Sequence, residues 1–138
     1  MTQPFHLAIP VQNLKICRDF YRDVLQCKEG RSDAHWVDFN FFGHQLVIHQ
    51  KDGFNPQQIS NPVDGHDVPV PHFGVVLSMN DWHLLSQRLE KNGTKFIIKP
   101  TIRFKGKAGE QATLFFKDPE GNALEFKAFK DIGQLFAT

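Results

Sequence analysis

Two histidines occupy matching places in two short apolar runs, and imidazole nitrogen is the commonest protein ligand of metals. His6 lies near the start of the run at residues 5–11, and His72 lies near the start of the run at residues 71–77. A lone histidine on an apolar strand is usually an ordinary half-buried side chain. Repetition at equivalent points of an internal repeat favours a shared role, so we predict that both histidines bind a metal.

Strand alternation gives the two histidines similar surroundings. Successive side chains of a strand point to opposite faces, so His6 shares a face with Ala8, and His72 shares a face with Gly74. The opposite faces carry bulkier apolar side chains, such as Phe73, that are suited to packing on a helix. The faces with the small residues have room for a cavity, which we expect the histidines to line.

The first half of the sequence predicts a β-α-β-β-β module. After the first strand, Asn13 is a suitable N-cap for a helix whose apolar side chains recur at helical spacing. A tight turn at residues 42–44 is expected between the last two strands. The three strands that follow the helix are predicted at residues 28–31, 36–41 and 45–49.

The second half repeats this plan. A strand at residues 71–79 precedes a helix that Asn80 or Asp81 can cap and that is expected to end at Asn92 and Gly93. The strands after this helix are predicted at residues 95–99, 112–117 and 122–129. The sequence therefore predicts an α+β fold built from tandem βαβββ modules.

A change of composition separates the two modules. Residues 51–70 are rich in Gly, Pro, Asn and Gln and show little periodicity, so we predict that they link a first module at residues 1–50 to a second at residues 71–138. The second half is the longer one, and its extra residues fit a flexible basic loop at residues 101–110. With 138 residues in all, the chain has the size of a single domain.

The composition excludes several classes of partner. Lys and Arg total 16 against 15 for Asp and Glu, and a net charge of +1 with neutral histidines gives no indication of binding to nucleic acid or to an anionic membrane. No apolar run is long enough to span a bilayer, and the chain opens almost directly into a strand. Two cysteines are too few for a disulfide framework, so we expect a cytoplasmic protein. The 14 phenylalanines suit a core or the walls of a small-molecule pocket.

The repeat and its closing segment resemble a known superfamily. His6 on the first strand, His72 on the fifth and the sequence DPEGNALEF at residues 118–126 are together similar to the vicinal oxygen chelate superfamily, which includes glyoxalase I, extradiol dioxygenases and bleomycin-resistance proteins. The resemblance covers nearly the whole chain. It implies the glyoxalase/bleomycin resistance/dihydroxybiphenyl dioxygenase fold, in which the two modules form a partly open barrel of curved, mixed β-sheet around a metal site.

The resemblance implies a divalent metal bound by His6, His72 and Glu125. Two imidazoles and one carboxylate on one side of a metal leave coordination positions open, as in non-haem Fe(II) oxygenases. We therefore expect Fe(II), with Mn, Ni and Zn as alternatives. Glu125 lies in an apolar strand where an unpaired carboxylate would be costly, and either a metal or an arginine would offset that cost.

Three further residues have two interpretations each. The superfamily's fourth ligand position falls on His49, which is either a ligand or an acid/base group beside the ligands; we predict the second, because three ligands are already present. Arg103 and Phe104 either lie in a solvated loop or form a lid in which Arg103 binds an anionic substrate group and Phe104 covers it. The remaining histidines are expected in solvent, namely His35, His44, His66 and His83.

Three functions fit this set of residues. We predict a dioxygenase of the extradiol type, which binds a small catechol-like molecule and O2 at the metal while an adjacent histidine moves protons. A glyoxalase-like lyase or isomerase is the alternative, although relatives of glyoxalase I usually have Glu at the position of His49. A metal-free binding protein of the bleomycin-resistance kind is the third, and such proteins generally lack the three ligands. A homodimer is expected because superfamily members commonly pair.

Overall fold

The computed structural model describes residues 2–55 and 60–138, which form two compact units. The first unit comprises Met1–Gln57 together with Asp118–Gly121, and the second comprises Gln58–Lys117 together with Asn122–Thr138. None of the helices in these described parts of the chain is long and apolar enough to cross a lipid bilayer.

The first unit has the predicted β-α-β-β-β order. Its elements are β1 (His6–Val11), α1 (Leu14–Asp19), a π-helical segment (Phe20–Val24), β2 (Lys28–Asp33), β3 (Trp36–Phe41) and β4 (His44–Gln50). The strands form one sheet in the order β1-β4-β3-β2, in which β1 runs parallel to β4 and the other neighbours are antiparallel.

Local chemistry accounts for the ends of these elements. The side chain of Asn13 accepts a hydrogen bond of 3.1 Å from the backbone N–H of Ile16, which confirms Asn13 as the N-cap of α1. Between β3 and β4, Phe42 and Gly43 both have positive φ angles, of 52° and 89°. Two such residues give the tight turn that joins neighbouring antiparallel strands with the natural twist.

The second unit repeats the order of the first and adds a hairpin in front of it. Its elements are β5 (Ser60–Val63), β6 (His66–Pro69), β7 (Val76–Leu77), α2 (Met79–Lys91), β8 (Phe96–Arg103), β9 (Gln111–Lys117), β10 (Ala123–Phe129) and a 3-10 turn (Ile132–Gln134). The sheet order is β7-β10-β9-β8, with β7 parallel to β10, while β5 and β6 form a separate antiparallel pair. The α+β class and the tandem βαβββ plan are confirmed, and none of the described ladders closes into a barrel.

The predicted linker is only partly irregular. Its residues 56–59 lie outside the described residues, but β5 and β6 form a hairpin where no regular structure was expected. The hairpin turns at Asp64 and Gly65, whose φ angles are 48° and 84°. Asp-Gly is a strong sequence signal for such a turn, and the many prolines and polar residues around it concealed the two short strands.

Three expected boundaries in the second unit were also wrong. The strand expected at residues 71–79 consists of β7 and an isolated pairing of Phe73 with Leu124, and it ends before Ser78, whose hydroxyl accepts from the N–H of Asp81 and caps α2. The cap is therefore Ser78 rather than Asn80 or Asp81. The loop expected at residues 101–110 begins later, since β8 continues to Arg103 in pairing with β9.

The closing turn of the sequence is part of the first unit. The hydroxyl of Tyr21, which is fully buried, donates a hydrogen bond of 2.8 Å to the carboxylate of Asp118, which is 4% exposed. Burial, and then the Asp118 charge, raise the pKa of Tyr21 well above its usual value, so the phenol remains a donor. Glu120 of the same turn accepts hydrogen bonds from the backbone N–H groups of Gln12 and Asn13.

Replacing Tyr21 with Phe should lower the free energy of unfolding by about 1–3 kcal/mol, because the change removes a donor to a buried carboxylate and hardly alters the packing. Urea unfolding followed by circular dichroism would measure the change. The control Lys15→Gln breaks the exposed ion pair with Asp19 and should leave the urea midpoint unchanged. Equal midpoints for Tyr21→Phe and the wild type would contradict this role of the hydrogen bond.

Candidate metal centre

The register of β9 and β10 puts polar side chains on one face of the second sheet. Glu125 is directly opposite Phe115, and Lys127 is directly opposite Thr113. These side chains share a face because residues two apart along a strand point the same way. The face therefore carries a carboxylate, a hydroxyl and an ammonium group beside a buried aromatic ring.

The opposite face of β10 is apolar and packs within the unit. Leu124, Phe126 and Ala128 are fully buried, and the indole N–H of Trp82 on α2 donates to the carbonyl of Phe126. A one-residue slip of β10 would bury Glu125 and Lys127 in place of these side chains, which is strongly unfavourable. The polar face is thus fixed by the packing behind it.

His72 is held beside Glu125 by a close approach of two backbone segments. The carbonyl of Phe73 accepts a hydrogen bond of 2.8 Å from the N–H of Glu125. Gly74 allows this approach, because a Cβ at that position would overlap the carbonyl oxygen of Glu125. The ring of His72 also makes an edge contact with Phe115 at 4.8 Å between centroids. As a result, Nε2 of His72 lies 3.4 Å from Oε1 of Glu125.

Hydrogen bonds to the far sides of these groups determine what faces inward. The carbonyl of Pro69 can only accept, so the proton of a neutral His72 ring lies on Nδ1, which donates to it at 2.6 Å. The hydroxyl of Thr113 donates to Oε2 of Glu125 at 2.7 Å. Each group therefore turns an acceptor, Nε2 or Oε1, toward the other. Either a cation or a proton is required between two facing acceptors.

The spacing and donor set fit a divalent metal. Charge-assisted hydrogen bonds are about 2.7–2.9 Å long, shorter than the separation of His72 and Glu125. Two ligand atoms that are each about 2.0–2.2 Å from one metal ion are themselves separated by roughly 3 Å or slightly more. Metal-binding histidines usually donate their other ring N–H to a carbonyl or carboxylate, as His72 does to Pro69.

The described residues contain no group of three or more His, Cys, Asp or Glu side chains that could hold a metal ion. Of the three predicted ligands, the structure brings together His72 and Glu125 in the second unit. His6 belongs to the first unit. Its role as a ligand remains a prediction.

His6 has a hydrogen-bond partner that fixes its ring. The amide nitrogen of Gln45 donates to the carboxylate of Asp38 at 3.2 Å, so the amide oxygen of Gln45 faces Nδ1 of His6 at 2.8 Å. Nδ1 is then the donor and Nε2 of a neutral ring carries the lone pair. The neutral rings of His6 and His72 thus carry their proton on the same nitrogen, Nδ1.

The register of the first sheet gives the strand partner of His49, whose role as an acid/base group stays a prediction. Ala8 pairs with Val47, and Pro10 pairs with His49. In the second unit the pairing of Phe73 with Leu124 puts Gly74, the counterpart of Ala8, opposite Glu125. Val47 is therefore the structural counterpart of Glu125. His49 is exposed and lies four residues beyond the partner of His6, about 13 Å along the strand.

A cavity of about 290 Å³ lies over the polar face of the second unit. Its charged and polar walls include His72, Glu125, Thr113, Lys127 and Arg103. Its apolar walls are formed by side chains that pack with or near the β5–β6 hairpin, namely Val63, Val68, Ile98 and Phe115. Such a mixture of apolar walls and a few polar groups is typical of a small-molecule site.

Arg103 and Phe104 contact each other beside the cavity. Arg103 lines the cavity, but its guanidinium forms an ion pair of 2.7 Å with Asp64 at the tip of the hairpin. Phe104 is 49% exposed and lies beside that guanidinium, with 5.0 Å between Cζ and the ring centroid. The predicted contacts of both residues with a substrate remain untested.

Sequence reasoning missed several cavity residues. Asp64 and His66 belong to the hairpin that was expected to be a linker, and the Asp-Gly turn signal would have revealed it. Thr113 and Lys127 could have been found from strand alternation, because both fall on the same face as Glu125 once the β9–β10 hairpin is paired.

The fold belongs to a known superfamily. The Glyoxalase/Bleomycin resistance protein/Dioxygenase superfamily matches residues 3–126, and the chain is a member of it. No match was found among curated protein sequences.

Solved structures give particular relatives. A glyoxalase/bleomycin resistance protein/dioxygenase from Alicyclobacillus acidocaldarius is 32% identical, with a TM-score of 0.78, and the match covers 97% of this chain and 96% of that chain. An integron cassette protein from the mobile metagenome of the Halifax Harbour sewage outfall is 26% identical with a TM-score of 0.68, over 94% of this chain and 100% of the other. The fosfomycin resistance protein FosX from Listeria monocytogenes is 16% identical with a TM-score of 0.68, over 93% of each chain, which is a likeness of fold alone.

Gly74→Ala should lower the free energy of unfolding by about 1–3 kcal/mol, because the added methyl group must push the backbone of β10 away from residues 73–75. Thermal and urea unfolding would measure the loss. Gly109→Ala is the matched control, since a Cβ there meets no atom within 4 Å, and its effect should stay within about 0.5 kcal/mol. Equal effects of the two substitutions would show that the approach at Gly74 is not tight.

Proposed function

We propose that this protein is a metal-dependent enzyme of the extradiol dioxygenase type, which cleaves the ring of a small catechol-like substrate with O2. The observation that supports the proposal most strongly is the pair of facing acceptors, Nε2 of His72 and Oε1 of Glu125, 3.4 Å apart at the wall of a cavity. A divalent cation satisfies both acceptors at once. We propose Fe(II) as the native metal, with Mn, Ni and Zn as alternatives.

Each residue of the pair is oriented for binding a metal. Pro69 and Thr113 hold the outer atoms of His72 and Glu125, so that neither side chain has to reorganise when the metal binds. We propose His6 as the third ligand, with its ring oriented by Gln45. A set of two imidazoles and one carboxylate leaves open positions at the metal.

The reaction balances without a further reductant. One catechol and one O2 combine, and both oxygen atoms enter the ring-opened product. Fe(II) held by the proposed ligands would supply the electron exchange with O2 and open positions for the substrate. The apolar wall around Phe115 would receive the aromatic ring of the substrate and exclude water from it.

The lyase alternative differs from the dioxygenase in the role of the carboxylate. A glyoxalase-like reaction uses a carboxylate ligand to shuttle the proton, and Glu125 would have to serve for this, because the matching place in the first module holds the buried side chain of Val47. The metal-free binding alternative requires a proton between His72 and Glu125, and their separation of 3.4 Å exceeds the usual length of a charge-assisted hydrogen bond. A homodimer and a cytoplasmic location, both expected from the sequence, remain predictions.

Protein reconstituted anaerobically with Fe(II) should consume O2 when catechol and air are added and should give a yellow ring-cleavage product, because the site binds a redox-active metal. An oxygen electrode and absorbance spectra would measure the reaction. Glu125→Gln should abolish it by removing the charged ligand. If Ni(II) or Zn(II) protein instead isomerises a hemithioacetal and the Fe(II) protein takes up no O2, the lyase alternative is correct.

Two matched threonine substitutions test whether the hydroxyl beside Glu125 supports metal binding. Thr113→Val removes the donor to Glu125 and should weaken metal binding by about 10- to 100-fold. Thr101→Val makes the same chemical change on the neighbouring strand, where the hydroxyl donates to the carbonyl of Lys99 instead. Metal affinity of the Thr101→Val protein should equal that of the wild type.

His49→Ala should leave metal occupancy intact, because His49 lies well beyond the partner of His6 along the first sheet. If His49 moves a proton in the reaction, the rate should fall by about 10²- to 10⁴-fold. Metal content and turnover should be measured on the same preparation, with His35→Ala as a control at an exposed turn. Loss of metal in proportion to activity would show that His49 is a ligand.

A further inference from the structure

The cavity of the second unit contains a lysine that is available to a ligand. Lys127 lies on β10 on the same face as Glu125 and lines the cavity. Its ammonium group forms no ion pair with any residue in the described parts of the chain, although its side chain is half-buried. A positive charge in such a position attracts an anion that enters the cavity.

The other strong cation of the cavity is already neutralised. Arg103 forms an ion pair of 2.7 Å with Asp64 at the tip of the β5–β6 hairpin. Binding of a substrate anion by Arg103 would have to compete with this carboxylate. Among the described residues no carboxylate forms an ion pair with Lys127, and the nearest one along the strand, Glu125, is paired with His72.

The register also puts Lys127 closer to the proposed metal ligands. It follows Glu125 by two residues, which is about 7 Å along the strand. Arg103 on β8 pairs with Gln111 on β9, and Gln111 pairs with Phe129 on β10. Arg103 therefore lies about 13 Å from Glu125 along the strand direction and about 10 Å, or two strands, from it across the sheet. The shorter distance is comparable to the span of one substituted aromatic ring.

We propose that Lys127 determines the substrate class of this cavity by binding a carboxylate group on the ring of a catechol-like substrate, whose two vicinal oxygens lie at the metal. This inference rests on the proposed function. One ammonium group balances one negative charge, so a second charge on the substrate would have no partner of its own at Lys127. A singly charged carboxylate therefore suits the site better than a phosphate.

Binding of matched acids and amides tests the proposal. Isothermal titration calorimetry under anaerobic conditions, on protein loaded with Fe(II), would compare 3,4-dihydroxybenzoate with 3,4-dihydroxybenzamide. The wild type should prefer the acid by about 10- to 100-fold, the usual effect of one charged hydrogen bond. Lys127→Arg should keep most of this preference because it keeps the charge, and Lys127→Met should lose it. The exposed loop substitution Lys105→Met should change nothing.

Two results would overturn the proposal. Equal affinity of the wild type for acid and amide is the first. The second is a preference that survives in Lys127→Met, and in particular one that disappears in Arg103→Met instead, which would assign the carboxylate to Arg103. Near-ultraviolet circular dichroism of each variant checks that the second unit remains folded.

A further ligand pair separates this proposal from the proposed function. Benzoate and benzamide lack the two hydroxyl groups, so their binding, followed by ligand-observed NMR on metal-free protein, does not require a diol or O2. A preference for benzoate that depends on Lys127, without any O2 uptake on catechol, would keep the anion site and reject the dioxygenase. Uptake of O2 on catechol without a preference for acids would keep the dioxygenase and reject the role of Lys127.

Discussion

The close approach of the backbone at residues 73–75 to β10 is the constraint on which the site depends. Only a residue without a side chain fits at Gly74, and the hydrogen bond from Glu125 to the carbonyl of Phe73 then joins the two segments. This contact holds His72, which is two residues before Gly74, beside the side chain of Glu125. Because β10 is anchored from behind by its buried apolar face, the position of the carboxylate cannot adjust independently.

Hydrogen bonding then decides the chemical character of the pair. A carbonyl on one side and a hydroxyl on the other leave two acceptors facing each other, which is favourable only with a cation or a proton between them. The same logic recurs in the first unit, where Gln45 orients the ring of His6. Each histidine ring is therefore held in one orientation by its neighbours, which would lower the cost of binding the proposed metal.

The hairpin of β5 and β6 gives the site a cavity and sets its charge. Its Val68 packs with Phe115 and Ala123, and its tip carries the carboxylate that neutralises Arg103. The segment expected to be a simple linker thereby supplies walls of the cavity and pairs the charge of Arg103 with that of Asp64. Lys127 lines the same cavity two residues from Glu125, and we propose that it binds the carboxylate of the substrate.

The sequence by itself determined the tandem βαβββ plan, the N-cap at Asn13 and the two repeated histidines, because these follow from strand alternation, helical spacing and local capping, which act between near neighbours in the chain. It could not determine which residues face one another across strands. The pairing of Gly74 with Glu125, the assignment of Val47 rather than His49 as the counterpart of Glu125, and the ion pair of Arg103 with Asp64 all depend on strand register and on the β5–β6 hairpin. Register is set by the packing of whole sheets, so only the tertiary structure decided these contacts.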